Sequence, residues 1–278
     1  MTDLDRIIAL AEADANVVAI GTEGSSNNPD FHADPWVDLD VSIFVTDPAQ
    51  ADGNWWIHQL GEPTLVQHLA NEALFGAASH IWDTYLTRYS GARRVDLKIA
   101  PAEDIAVYLA DDKLNALVWK REAGRLQKAS TDASSHWVAV PDQVALNACA
   151  NEFYWCLGNV VKGVARGNLM YANEMFNRNA RPMLIDMLAY RETAKDHGRF
   201  DAGVCGKYTW DRLTEAERTA LAATYQQGDL GAIAASIQAA LTLFSAVYAQ
   251  VQQLTGLAPM PYLDSAKAQF DQWLAALA

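Results

Sequence analysis

Cysteine is scarce: the chain has three, at positions 149, 156 and 205. The first two sit seven apart in a segment with helical patterning, where about 10 Å of helix rise would separate them and exclude a disulfide. Reduced thiols in a reducing compartment are expected. Positive charge is nearly missing from the first sixty residues, where eleven Asp or Glu stand against Arg6 alone, a local charge of −10 out of −13 for all 278 residues. Such a field repels phosphate-rich polymers and draws metal ions and polycationic small molecules. No basic stripe of the kind that RNA binding needs is visible, so no nucleic-acid partner is expected. No run reaches about 18 apolar residues, and MTDLDRIIALAEAD is acidic where a signal peptide starts basic. These absences point to the cytoplasm with no membrane partner. The histidines, His32, His58, His68, His80, His136 and His197, lack ligand spacing, so no zinc site is expected. No GxSxG, P-loop or GxGxxG stands in a usable context, and there is no internal repeat or low-complexity tract.

Apolar material is plentiful. Hydrophobic residues make up 51% of the chain, with nine Trp, ten Tyr and eight Phe, enough for a large core. Leu4, Ile7, Ile8 and Leu10 repeat at helical spacing after Asp3, a candidate N-cap. VVAIGTEGSS reads as a strand running into a Gly-Ser turn, and VDLDVSIFVTD (37–47) as a strand entering a covered sheet. Two more strands are predicted in WDTYLTRYS and ARRVDLKIA, joined at Gly91. From Pro141 onward helical patterns dominate: 141–176, 182–195, 214–225, 230–254 and 264–277. Asp229 and Asp264 suit N-caps, Pro141 and Pro182 suit first turns, and Gly256 suits a helix stop. The expected fold is α+β: a mixed sheet with helices over residues 1–135, then an α-helical bundle over 136–278.

The chemistry-bearing stretch is Gly24-Ser25, followed after twelve residues by Asp38-Leu39-Asp40. Residues two apart on a strand share a face, so Asp38 and Asp40 project together while Leu39 and Val41 face away. Paired carboxylates need a counter-charge, and a divalent cation supplies one. Asp96 lies on another alternating strand with Val95, Leu97 and Ile99 opposite; if the strands are neighbours, three carboxylates converge. Such a cluster suits two Mg²⁺ ions, one on a triphosphate and one on an attacking hydroxyl. The Gly-Ser turn would offer backbone N–H groups and the Ser25 hydroxyl to phosphate oxygens, with Gly24 permitting close approach.

GTEGSSNNP followed by DPWVDLDVSIFVTD resembles the signature of the DNA polymerase beta-like nucleotidyltransferases. More narrowly, RRVDLKIAP, NEFYWCLGNVVKGVARGNLMYA, RPMLIDMLAYRE and the GKY at 206–208 resemble the aminoglycoside 6-adenylyltransferases, also called streptomycin adenylyltransferases, over nearly the whole chain. The resemblance implies that residues 1–135 are a nucleotidyltransferase domain and that 136–278 bind substrate. It implies that Asp38 and Asp40 hold metal, that Gly24 and Ser25 hold phosphates, and that Asp96 completes the metal site or acts as general base. The implied reaction transfers AMP from ATP, with Mg²⁺, to a hydroxyl of a cationic aminoglycoside such as streptomycin. Two positions depart from the family pattern: Ser26 stands where Arg is usual, and Leu39 where an aromatic is common.

At 100° per residue, Glu152, Trp155, Asn159, Lys162 and Arg166 fall within about 80° of helix surface, opposite Phe153, Leu157, Val160, Val161 and Val164. If the polar face looks toward the acidic cluster, Lys162 meets phosphates and Glu152 with Trp155 contacts the acceptor; otherwise it is a plain solvent face. Lys207 and Tyr208, in a loop before the helix at 214, would close over the nucleotide or merely mark a turn. Asp186, in an otherwise apolar helix, would contact the aminoglycoside or be buried against Arg181 or Arg191. Two other readings stand beside this one. A nucleotidyltransferase of the same fold could modify a protein or RNA, or a non-catalytic descendant could only bind nucleotide or drug.

Overall fold

In the computed structural model, residues 1–30, 34–70 and 82–277 are described, so His32 and His80 lie outside the described residues. Two compact units are formed, Met1–Ser135 and His136–Ala278.

The first unit opens with helix α1 (Asp3–Ala13). Its cap is Thr2 rather than Asp3: the Thr2 hydroxyl accepts the Asp5 N–H while the Asp5 carboxylate accepts the Thr2 N–H. Strands β1 (Val17–Glu23) and β2 (Leu39–Val45) follow, then α2 (Gly53–Gln59), β3 (Leu65–Leu69), β4 (Asp83–Arg88), β5 (Arg94–Pro101), α3 (Ile105–Asp111), β6 (Ala116–Lys120) and β7 (Gly124–Arg125). Among the described residues they build a seven-stranded mixed sheet in the order β3-β4-β5-β2-β1-β6-β7, in which β2 and β5 pair in parallel and the other pairs are antiparallel. Four of these strands were readable from the sequence. The others lack its usual marks, because β3 is mostly exposed, β6 has five residues and β7 two.

Period-two alternation divides the two faces. Val41, Ile43 and Val45 of β2 and Val95, Leu97 and Ile99 of β5 pack with Ile7, Ile8 and Trp56 from the helices α1 and α2. Phe44 and Ala100 belong to the other face, where they pack with Tyr108 of α3. Asp40, Ser42, Asp96 and Lys98 share that second face, so its apolar part ends where the acidic residues begin.

The second unit is helical: α4 (Gln143–Ala165), α5 (Leu169–Met175), α6 (Arg181–Lys195), α7 (Lys207–Arg212), α8 (Glu215–Ala223), α9 (Leu230–Thr255) and α10 (Leu263–Leu277). The predicted helix 141–176 is broken, because Gly167 turns the chain at φ +68° and Asn168 caps α5 by accepting the Tyr171 N–H. A π-helical stretch, Phe176–Ala180, then leads directly into α6. Pro141 lies before the Asp142 cap of α4, and Asp264 sits inside the first turn of α10. Asp229 and Gly256 do cap α9, the latter at φ +73°.

Phe153 of α4 stacks on Phe244 of α9, ring centroids 3.8 Å apart, at the centre of a core that includes Leu157, Leu188 and Val247. With 26 residues and a peak mean hydropathy of 1.8, α9 is long and apolar enough to cross a membrane, against the expectation that no such stretch exists. Its buried residues, among them Ile233, Ile237, Phe244 and Val251, are the centre of this helical core. All three cysteines are unpaired.

Candidate active site

Parallel pairing of β2 with β5 sets Asp40 opposite Asp96, and Asp38 immediately precedes β2. One carboxylate oxygen from each of the three lies within 4.8 Å of the others. The turn Gly24–Asn27 passes beside them. Gly24 has φ +69°, and a Cβ placed there would meet Asp40 Oδ2 at 2.4 Å, so only glycine lets the turn approach this carboxylate. Ser25 follows in the same turn, half-buried. Asn27 anchors the turn from below: its buried amide donates to the carbonyls of Thr22 at 2.6 Å and Leu114 at 2.7 Å. The Tyr108 hydroxyl donates to the same Thr22 carbonyl at 2.7 Å.

The same alternation brings two cations onto this face. Arg94 donates through Nε to Asp96 Oδ1 at 2.8 Å and through Nη2 to Oδ2 at 2.5 Å, and its Nη1 lies 3.4 Å from Asp38 Oδ2. Lys98 donates to Glu23 at 2.7 Å, and the Ser42 hydroxyl donates to the other oxygen of Glu23 at 2.8 Å. The Asp40 carboxylate has neither hydrogen bond nor ion pair among the described residues. Burial, and then the nearby charges of Asp38, Glu23 and Asp96, push its carboxyl up from 3.8 to about 7. Burial raises Asp96 too, opposed by Arg94. Four acids thus share two cations. The donor set is all carboxylate oxygen, which suits a hard divalent ion such as Mg²⁺, and the Arg94 guanidinium already holds positive charge against two of its members. By chemistry and by charge, the residues fit a metal.

Glu23, Arg94 and Lys98 were not among the expected site residues. Their signal was nonetheless available, since Arg94 and Lys98 flank Asp96 at the two-residue spacing that marks a common face, and Glu23 adjoins Gly24.

The remaining expected residues belong to the helical unit and are spread over it. On α4, Glu152, Trp155 and Lys162 are exposed, opposite the buried Phe153, Leu157 and Val160. Glu152 accepts from the Cys156 thiol at 3.0 Å. Lys162 donates to Asn159 at 2.8 Å, with its ammonium 5.6 Å from the centre of the Tyr171 ring. Trp155, Asn159 and Lys162 line a cavity of about 560 Å³ with Tyr262 and Trp273, whereas Glu152 lies off its wall.

Asp186 lines a second cavity, of about 650 Å³, with Asn177, Arg181, Tyr190 and Tyr225. It is exposed, and neither expected arginine pairs with it. Arg181 donates to Thr224 and lies 3.8 Å from the Tyr225 ring centre. Arg191 is held by Glu192 at 2.6 Å and by Glu217. Lys207 is the first residue of α7 rather than part of a loop, its ammonium 4.8 Å from the Tyr208 ring centre; Gly206 before it lines the second cavity.

The family model described as streptomycin adenylyltransferase matches residues 2–272. The chain is similar to the aminoglycoside 6-adenylyltransferase of Bacillus subtilis (strain 168), 25% identical over 224 residues that cover 80% of this chain and 79% of that protein. It is also similar to the aminoglycoside 6-adenylyltransferase of Campylobacter jejuni, at 27% identity over 250 residues, 89% and 86% of the two chains. A crystal structure of an aminoglycoside 6-adenyltransferase from Bacillus subtilis shares the fold, with a TM-score of 0.50 at 21% identity and 99% of each chain covered.

Proposed function

From the premise that this chain belongs to the streptomycin adenylyltransferase family and is a nucleotidyltransferase, we propose that it transfers AMP from ATP to a hydroxyl of a cationic aminoglycoside, streptomycin first. The observation that carries this reading is the convergence of Asp38, Asp40 and Asp96 beside the glycine-dependent turn at Gly24. Residues 1–135 are the nucleotidyltransferase domain in this reading, and 136–278 the substrate-binding unit.

Asp38, Asp40 and Asp96 would hold Mg²⁺, expected as two ions, which when bound supplies charge neutralisation to the triphosphate and lowers the pKa of the acceptor hydroxyl. Gly24 and Ser25 orient the phosphates through backbone N–H groups and the Ser25 hydroxyl. The acceptor oxygen forms a bond to the α-phosphorus, the bond to the β-phosphate oxygen breaks, and pyrophosphate leaves. The hydroxyl proton goes to Asp96. We assign it there rather than to Glu152 because Asp96 belongs to the acidic triad beside the Gly24 turn, whereas Glu152 stands on α4 of the helical unit, away from that cluster in the sequence. Positioning and charge neutralisation supply most of the acceleration.

Asp186 offers an exposed carboxylate beside Tyr190 and Tyr225, suited to an ammonium or guanidinium of the acceptor. Trp155 gives an aromatic face for the same class of ligand, while Lys162 and Lys207 carry charge for phosphate. The acidity of the first sixty residues favours accumulation of a polycation, and the cytoplasm is the compartment that supplies ATP.

The test is incubation with ATP, Mg²⁺ and streptomycin, followed by mass, with Asp40→Asn alongside. A gain of one AMP on the drug, absent with the variant, is expected. Failure to modify streptomycin or any of a panel of aminoglycosides, with ATP still bound, would refute the reading.

A further inference from the structure

Arg94 opens β5 and forks over Asp96 with two hydrogen bonds, at 2.8 and 2.5 Å, while its third nitrogen stands 3.4 Å from Asp38. Both carboxylates belong to the set that the proposed function assigns to metal, so the guanidinium holds its charge where a divalent ion would act. A bidentate guanidinium occupies both oxygens of its carboxylate along lone-pair directions that a metal would also use. Lys98, two residues further along the same face, is committed to Glu23. Arg94 is therefore the counter-ion on the metal side of the cluster.

Exposure decides which partner can yield. The Arg94 side chain is 30% exposed and that of Asp96 6%, so the guanidinium can swing out to water whereas the carboxylate is fixed in the sheet. Three carboxylates facing one guanidinium also leave an excess of negative charge that a divalent ion corrects better than a monovalent one.

We propose that Arg94 is a resident counter-ion that occupies Asp96 and Asp38 of the acidic triad in the metal-free protein and must be displaced for the cation to bind, so that this positioning residue sets metal affinity. The inference rests on the metal-binding reading of the triad. Asp40, which has no cationic partner of its own, is the open flank from which a metal would begin to displace the guanidinium. The cost of the arrangement is weaker binding of metal alone. Its benefit is that the acidic cluster stays folded before metal arrives.

Mn²⁺ binding to the full chain, without nucleotide, separates the alternatives. Free Mn²⁺ would be followed by its paramagnetic resonance signal for the wild type, Arg94→Gln and Arg94→Lys, with folding checked by circular dichroism. Arg94→Gln is expected to bind Mn²⁺ about tenfold more tightly, and Arg94→Lys to fall between it and the wild type, since lysine keeps the charge without the fork. Metal should also raise the melting temperature of Arg94→Gln more than that of the wild type. Unchanged or weaker Mn²⁺ binding by folded Arg94→Gln would overturn the inference and leave Arg94 as a support that orients Asp96. Should Arg94→Gln fail to fold without metal, the lysine variant decides alone, by tighter or unaltered binding. Absence of Mn²⁺ binding from wild type and variants alike would instead remove the metal reading itself, and the inference with it.

Discussion

Asp40 carries the electrostatic strain of the site, and replacing it with asparagine should stabilise the metal-free protein while abolishing its chemistry. Burial and three neighbouring acids raise its carboxyl from 3.8 to about 7. A carboxyl raised on folding favours the folded state below its unfolded value, and that contribution is lost as pH climbs through the folded value. Between pH 4.5 and 8.5 the loss amounts to about 3 kcal/mol, at about 1.4 kcal/mol per tenfold change in proton affinity. Asparagine has the same shape and stays neutral throughout. Urea unfolding of both proteins in EDTA should therefore show Asp40→Asn gaining on the wild type by about 3 kcal/mol over that pH range. Adding Mg²⁺ should reverse the order at pH 8.5, because only the wild type has the full carboxylate set. Parallel stability profiles in EDTA, or a variant less stable than the wild type at pH 8.5, would refute the argument that Asp40 is held at electrostatic cost.

Further expectations follow from particular contacts. Gly24→Ala puts a methyl group 2.4 Å from Asp40 Oδ2 at a left-handed φ; transfer should fall at least about 100-fold while stability drops by only about 1–2 kcal/mol, checked by kcat and by urea unfolding. Asp186→Asn should raise KM for the cationic acceptor about tenfold, the loss of one charge-assisted hydrogen bond, and leave KM for ATP unchanged. Phe153→Ala removes the ring stacked on Phe244 and should cost about 3–5 kcal/mol, read from its denaturation midpoint.

The sheet was legible where alternation is strong and hidden where it is weak. Val41, Ile43 and Val45, like Val95, Leu97 and Ile99, mark a buried face, and the acids fall on the other by the two-residue period alone. Adjacency of β2 and β5, which sets Asp40 opposite Asp96, is a tertiary fact that no local pattern contains. The edge strand β3 exposes four of its five residues, so nothing in its sequence separates it from a loop. The predicted helix 141–176 continued through Gly167 because apolar spacing resumes beyond it; the glycine's positive φ breaks the helix there, and Asn168 caps the next.

For Asp186 one of two open readings fails: its apolar neighbours admitted burial against Arg181 or Arg191, yet helical angles oppose that. Taking Leu184 as origin, Met187, Leu188 and Arg191 fall within about 60° of it at 100° per residue, whereas Asp186 lies about 160° away. The buried arc of α6 includes Leu184, Met187, Leu188 and Arg191, so on this arc it is the arginine and not Asp186 that enters the core, and Glu192 and Glu217 meet its charge. Composition of a segment therefore says less than phase around its axis. The same rule applied to β5 places Arg94 and Lys98 beside Asp96, but which acid each cation meets depends on side-chain reach across β1 and β2. Of the four acids, that pairing leaves Asp40 without a cation, so in the proposed metal-binding reading it is the carboxylate at which a divalent ion would meet no competing charge.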